Sequence, residues 1–145
     1  MVVSGDLFIF YGLLKQGAAG APAHIPLDKA GVFLGPCEFE GEMFDAGGYP
    51  GVRVGVKTCM GQLYRLDDIS ILPALDAFED CDMADPDASL YQRRRVTYSN
   101  GPADTSSGMA WVYWYVAPSS HMPLMKSGNW PLDGVRKDRG VLCDV

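Results

Sequence analysis

Hydrophobic positions along this chain fall into short runs separated by clusters of glycine, proline and small polar residues. Leu7-Phe8-Ile9-Phe10-Tyr11 is an unbroken run of apolar or aromatic residues, which predicts a strand buried on both faces rather than an alternating edge strand. A second strand starts at Val32-Phe33-Leu34 and continues over residues 37–44. There Cys37, Phe39, Gly41 and Met43 alternate with Glu38, Glu40, Glu42 and Phe44. Residues 45–51 form a dense turn cluster, followed by two further strands over residues 52–56 and 59–66. Ile71, Ala74, Leu75 and Phe78 recur at helical spacing, with Ser70 available as a cap and Pro73 in the first turn. This helix is expected to end near Glu79 and Asp80. Residues 91–98 and 108–116 read as a hairpin, and the chain beyond residue 117 carries no strong pattern. About six strands with one clear helix predict an α+β class, a mixed or antiparallel sheet closed into a small barrel.

Composition narrows the function classes. At 145 residues the chain is long enough to bury a core as one domain over residues 1–145, the tail after about residue 117 being its least patterned part. A net charge of −6 argues against a nucleic-acid backbone or an anionic membrane as partner. No apolar stretch reaches the length of a spanning helix, and the first residues lack a signal-peptide pattern, so a soluble cytoplasmic protein is expected. Cys37, Cys59, Cys81 and Cys143 form no CxxC pair. Free thiols are expected, with two disulfides as the alternative. His24 and His121 lie far apart, so no histidine-rich metal site is expected.

Two places carry candidate chemistry. Gly12 ends the first strand, where the backbone can turn sharply and present consecutive N–H groups to a carboxylate or phosphate. The plain alternative is a strand-to-loop turn. Glu79 closes the apolar helix at the negative end of its dipole, which disfavours ionisation. If it is also desolvated, its pKa moves toward the range useful for proton transfer. The alternative is a solvated helix-end glutamate.

The segments Phe10-Tyr11-Gly12-Leu13-Leu14-Lys15, Tyr49-Pro50-Gly51-Val52, Gly61-Gln62-Leu63-Tyr64, Leu75-Asp76-Ala77-Phe78-Glu79, Tyr91-Gln92-Arg93-Arg94-Arg95-Val96 and Ala110-Trp111-Val112-Tyr113 occur in one order. Together they resemble the γ-glutamylcyclotransferase-like family, including its AIG2-like and γ-glutamylamine cyclotransferase branches. The resemblance implies a small β-barrel with flanking helices and a cavity at one end. It also implies a cofactor-free reaction on a small-molecule γ-glutamyl substrate. The α-amine attacks its own γ-carbonyl, releasing 5-oxoproline and a free amine or amino acid. By that resemblance the turn at Tyr11, Gly12, Leu13 and Leu14 cradles the glutamyl group through backbone N–H groups, and Glu79 is the general base and acid.

Departures from the pattern are Leu13, where a hydroxyl residue is usual, Gln62 in place of Glu, and Asp80 in place of Gly. They bear on substrate identity more than on fold. Tyr91 is a candidate cavity residue, with a core aromatic as the alternative. Tyr115 is a candidate pocket-closing residue, although Trp111, Tyr113 and Tyr115 share one strand face and can equally be barrel packing. Alternation sends Arg94 to the face opposite Arg93 and Arg95, which reads as a solvated or loop-paired face rather than a phosphate patch. Tyr49-Pro50-Gly51 reads as a turn at the cavity rim. A non-catalytic barrel that binds a small anionic metabolite and an interaction module built on the strand from Trp111 to Tyr115 are the competing functional classes. The pattern leaves the oligomeric state open.

Overall fold

The computed structural model describes residues 1–134; the expectations for Cys143 and for the end of the tail lie outside the described residues. Five strands close into a barrel. They are β1 (Asp6–Phe10), β2 (Gly31–Asp45), β3 (Pro50–Leu66), β4 (Tyr91–Ser99) and β5 (Gly108–Tyr115), in the order β1-β3-β2-β4-β5. All pairs are antiparallel except β1 with β5, where Phe8 lies opposite Trp111 in parallel. Two short helices flank it: α1 (Leu27–Ala30) and α2 (Leu72–Phe78). The barrel is therefore mixed and mainly antiparallel, as the alternation of the strands implies.

β1 is buried on both faces because two separate cores use it. Phe8 and Phe10 join Tyr64, Leu66, Leu75 and Tyr113 beneath the helices. Ile9 and Tyr11 join Phe39, Cys59, Leu63, Val112 and Trp130 on the other face. The unbroken apolar run is thus explained by period-two alternation between two apolar environments. Cys37, Cys59 and Cys81 are buried and free, and burial pushes the first two thiols up to about 12.

Residues 52–56 and 59–66 belong to one 17-residue strand, not two. Gly41 pairs with Lys57, but the next pair is Glu42 with Arg53, so Val54, Gly55 and Val56 are extra residues on the β3 side. Val54 and Val56 point into solvent. A bulge of this kind bends the ladder without ending it. The bend carries the tip of the β2–β3 hairpin over the barrel, where Pro50 comes against Gly12 and Gly51 against Tyr115.

α2 is introduced by a 3-10 turn, Ile69–Ile71, and has no side-chain cap of its own; the cap is on the turn and is Asp68 rather than Ser70, the Asp68 carboxylate accepting the Ser70 N–H at 3.0 Å. Asp76 fastens the helix to the barrel. Its carboxylate takes a two-pronged bond from Arg93, at 2.9 and 3.2 Å, and accepts the Tyr113 hydroxyl at 2.7 Å. Arg93 is thus helix-paired, while Arg95 lies over the Trp111 ring. Removing the Asp76 carboxylate strands a largely buried guanidinium and a buried hydroxyl. Asp76→Ala is therefore expected to cost about 3 kcal/mol in denaturant unfolding. A loss below about 1 kcal/mol would show that the pair does not hold α2 in place.

Among the described residues no helix is long and apolar enough to cross a membrane.

Candidate functional site

A cavity of about 270 Å³ sits where the β1 turn, the hairpin tip, the end of α2 and the start of β4 converge. Tyr11, Gly12, Leu13 and Leu14 line one side. Glu79 and Asp80 line the other, and Tyr49, Pro50, Phe78, Leu90, Tyr91 and Tyr113 complete the wall. Among the described residues no lysine or arginine lines it.

The turn after β1 is closed by Lys15 N–H on the Gly12 carbonyl at 3.1 Å. Gly12 and Leu14 are buried, yet the N–H groups of Gly12, Leu13 and Leu14 donate to no group among the described residues. Buried backbone donors are nearly always satisfied, so three unpaired ones in a row mark a place for an acceptor from outside the chain. Glycine is required at position 12 by contact: a Cβ there would lie 2.5 Å from Cγ and 2.9 Å from Cδ of the Pro50 ring.

Glu79 is set by the way α2 ends. Cys81 N–H reaches the Asp76 carbonyl at 2.8 Å and Asp80 N–H reaches that of Ala77 at 3.2 Å, the paired bonds of a Schellman cap. Asp80 takes the left-handed conformation this requires, with φ of 50°. Its carbonyl then accepts the N–H of Leu90 at 3.0 Å, joining the helix end to the start of β4. Aspartate tolerates this conformation less well than glycine, which has no Cβ. Asp80→Gly is expected to stabilise the fold by about 0.5–1 kcal/mol in thermal or denaturant unfolding, because only the backbone groups of Asp80 are used, and glycine keeps both. Destabilisation would mean that the carboxylate has a structural partner.

The Glu79 residue is partly accessible because it faces the cavity, but protein surrounds its carboxyl. Burial alone pushes its pKa up to about 8. Asp80 is exposed and plays no part in that shift. Three buried phenols neighbour Glu79. Tyr11 donates to the Tyr113 carbonyl at 2.7 Å, Tyr91 to the Pro50 carbonyl at 2.7 Å, and Tyr113 to Asp76. Burial first, and nearby charge or hydroxyl groups second, hold all three above the ordinary tyrosine range. They stay neutral, with their protons committed, and offer only oxygen lone pairs to an occupant.

The structure therefore brings Tyr11, Gly12, Leu13, Leu14, Glu79 and Tyr91 around one cavity. Tyr115 is not in its wall. Its ring packs edge-on against Tyr91 at 5.0 Å and against Phe44 at 5.0 Å, behind the lining. Tyr113 lines the cavity instead, although it shares a strand face with Tyr115. Alternation assigns a side chain to a face but not to a height along the barrel, so it could not separate the two.

The chain belongs to the family whose model is described as Gamma-glutamyl cyclotransferase, AIG2-like, which residues 8–132 match. It is 32% identical over 89 residues to the Gamma-glutamylcyclotransferase family protein ytfP of Citrobacter rodentium, a match covering 61% of this chain and 66% of that relative. The chain thus spans just under two thirds of that protein. Among solved structures it resembles an AIG2-like protein from Mus musculus, with a TM-score of 0.66 and 21% identity over 89% of this chain and 90% of that one. It also resembles protein ytfP from Escherichia coli, with a TM-score of 0.59 and 25% identity over 86% of this chain and 95% of that one.

Proposed function

We propose that this chain is a γ-glutamyl cyclotransferase-type enzyme that converts a γ-glutamyl amine or γ-glutamyl amino acid into 5-oxoproline and the free amine. The observation that carries this reading is the pairing, across one cavity, of three unsatisfied backbone N–H groups with a single desolvated carboxyl group. The α-carboxylate of the glutamyl group accepts from Gly12, Leu13 and Leu14. The α-ammonium then faces Glu79 and the lone pairs of Tyr11 and Tyr91, and Tyr115 holds Tyr91 from behind.

The α-nitrogen gives up two protons in all, and Glu79 carries the first of them to the leaving group. Ionised Glu79 takes a proton from the α-ammonium, and the freed amine attacks the γ-carbonyl carbon, forming the ring C–N bond. As the tetrahedral intermediate collapses, Glu79 returns that proton to the leaving nitrogen and the original amide bond breaks. The positively charged ring nitrogen then gives its second proton to the freed amine, which departs as an ammonium. The nucleophile belongs to the substrate, so the chain need supply no covalent group. Holding the flexible glutamyl chain in a cyclised pose supplies the proximity part of the rate gain. This is cytoplasmic chemistry on a small soluble substrate.

The free enzyme is active with Glu79 ionised, so kcat/KM is expected to rise about tenfold per pH unit and level off near pH 8. A limb at the ordinary glutamate pKa would contradict the desolvated site.

The test is 5-oxoproline release from γ-glutamyl-alanine and γ-glutamyl-lysine beside their α-linked isomers. Only the γ-linked compounds place amine and carbonyl for a five-membered ring. Release from these alone, with one amine freed per 5-oxoproline, is expected. Binding of γ-glutamyl compounds without release would make the chain a binding barrel.

A further inference from the structure

Behind the turn at residues 12–14 lies a second hollow, of 240 Å³, whose wall includes Lys15, Met60, Gln62, Asn129, Trp130 and Leu132. Lys15 is only 5% exposed. Its ammonium donates to the Trp130 carbonyl and, at 3.4 Å, to Asn129 Oδ1. Among the described residues it forms no ion pair, and burial holds its pKa down to about 8. A buried cation satisfied only by neutral oxygens is an unusual and costly arrangement.

The polar groups around it have one sign. Gln62 Oε1 already accepts the Gln16 N–H at 2.7 Å, and Asn129 Oδ1 already accepts from Lys15. Neither amide's NH₂ group has an acceptor among the described residues, and the ammonium has a third N–H. The hollow thus presents three sets of donors and one uncompensated positive charge. Its other walls, Met60, Trp130 and Leu132, are apolar.

We infer that this hollow is a second binding site, separate from the cavity at Glu79, for a small organic carboxylate with a compact apolar body. The carboxylate oxygens accept from Lys15, Gln62 and Asn129, and the body lies against Met60 and Trp130. Lys15 N–H is bonded to the Gly12 carbonyl, so an occupant bears on the substrate turn from its far side. The inference does not depend on the cyclotransferase reading.

Benzoate is a suitable probe, with benzamide as its uncharged counterpart. Titration calorimetry of the full chain near pH 7 is expected to give saturable benzoate binding and at least tenfold weaker benzamide binding. Amide NMR is expected to place the benzoate-induced shifts at the side-chain NH₂ groups of Gln62 and Asn129. Gln62→Glu keeps the acceptor for Gln16 and supplies the missing negative charge, so it is expected to weaken benzoate at least tenfold in a folded chain. Lys15→Met is expected to do the same. Absence of saturable binding, equal affinity for benzamide, undiminished binding by Gln62→Glu, or shifts confined to Gly12, Leu13 and Leu14 would each overturn the proposal.

Discussion

Glu79→Gln is expected to lower kcat/KM for 5-oxoproline release by about 10²–10⁴-fold while making the protein more stable at alkaline pH. The two effects share one cause. Burial raises the Glu79 pKa to about 8 from an ordinary 4.5. Below pH 4 the carboxyl is protonated in both folded and unfolded chains, and the fold bears no penalty. Between about 4.5 and 8 the unfolded chain loses this proton and the folded chain keeps it, so stability falls as pH rises. Above 8 the penalty is complete, about 5 kcal/mol if the whole shift operates. Glutamine has no proton to lose. The stability difference between variant and wild type should therefore be near zero at pH 4 and several kcal/mol at pH 9, read from denaturant midpoints. An active variant would remove Glu79 from the mechanism. An inactive variant with no pH-dependent gain would mean that Glu79 is solvated and that its role is not proton transfer by a desolvated acid.

The second large effect is expected at Gly12. In Gly12→Ala the new Cβ meets a proline ring that cannot swing away, so the turn or the hairpin tip must move. Overpacking of this kind costs about 1–3 kcal/mol of stability. Misdirecting one N–H from a bound carboxylate costs about 1.5–3 kcal/mol of binding, roughly 10–100-fold in kcat/KM. The Pro50 carbonyl also holds the Tyr91 hydroxyl, so a shifted tip disturbs both sides of the cavity. Pro50→Ala in the same chain removes the clashing Cγ and Cδ and is expected to recover most of the loss. Normal kinetics for Gly12→Ala alone would show that the turn does not hold the substrate.

Much of this architecture is legible in the residues. The apolar run of β1, the alternation of β2 and the β4–β5 hairpin each follow from local patterning, and the helix ends where its periodicity does. The single β3 strand is hidden because Lys57-Thr58 reads as a break between two strands, whereas both residues pair with β2 and the irregularity is the exposed bulge at Val54-Gly55-Val56. The capping role of Asp68 is hidden because Ser70 is an equally good cap by type, and only the preceding 3-10 turn decides between them. Of the cavity, Tyr11, Gly12, Leu13, Leu14, Glu79 and Tyr91 are marked by their segments. Tyr113 is not, since its height in the barrel depends on the β4–β5 register. Nothing near Asp76 in the chain signals that it anchors α2, because its partners Arg93 and Tyr113 are 17 and 37 residues away. Lys15 reads as the end of a motif until Trp130, 115 residues later, is folded onto it.

The most direct measurement follows the Glu79 carboxyl carbon by NMR as pH is varied, alongside kcat/KM for a γ-glutamyl amine on the same preparation. One titration near pH 8 is expected in the spectrum, with an acidic limb of the rate profile at the same pH. A carboxyl that titrates near 4.5, a rate limb that does not follow it, or no 5-oxoproline at any pH would contradict proton transfer by a desolvated Glu79.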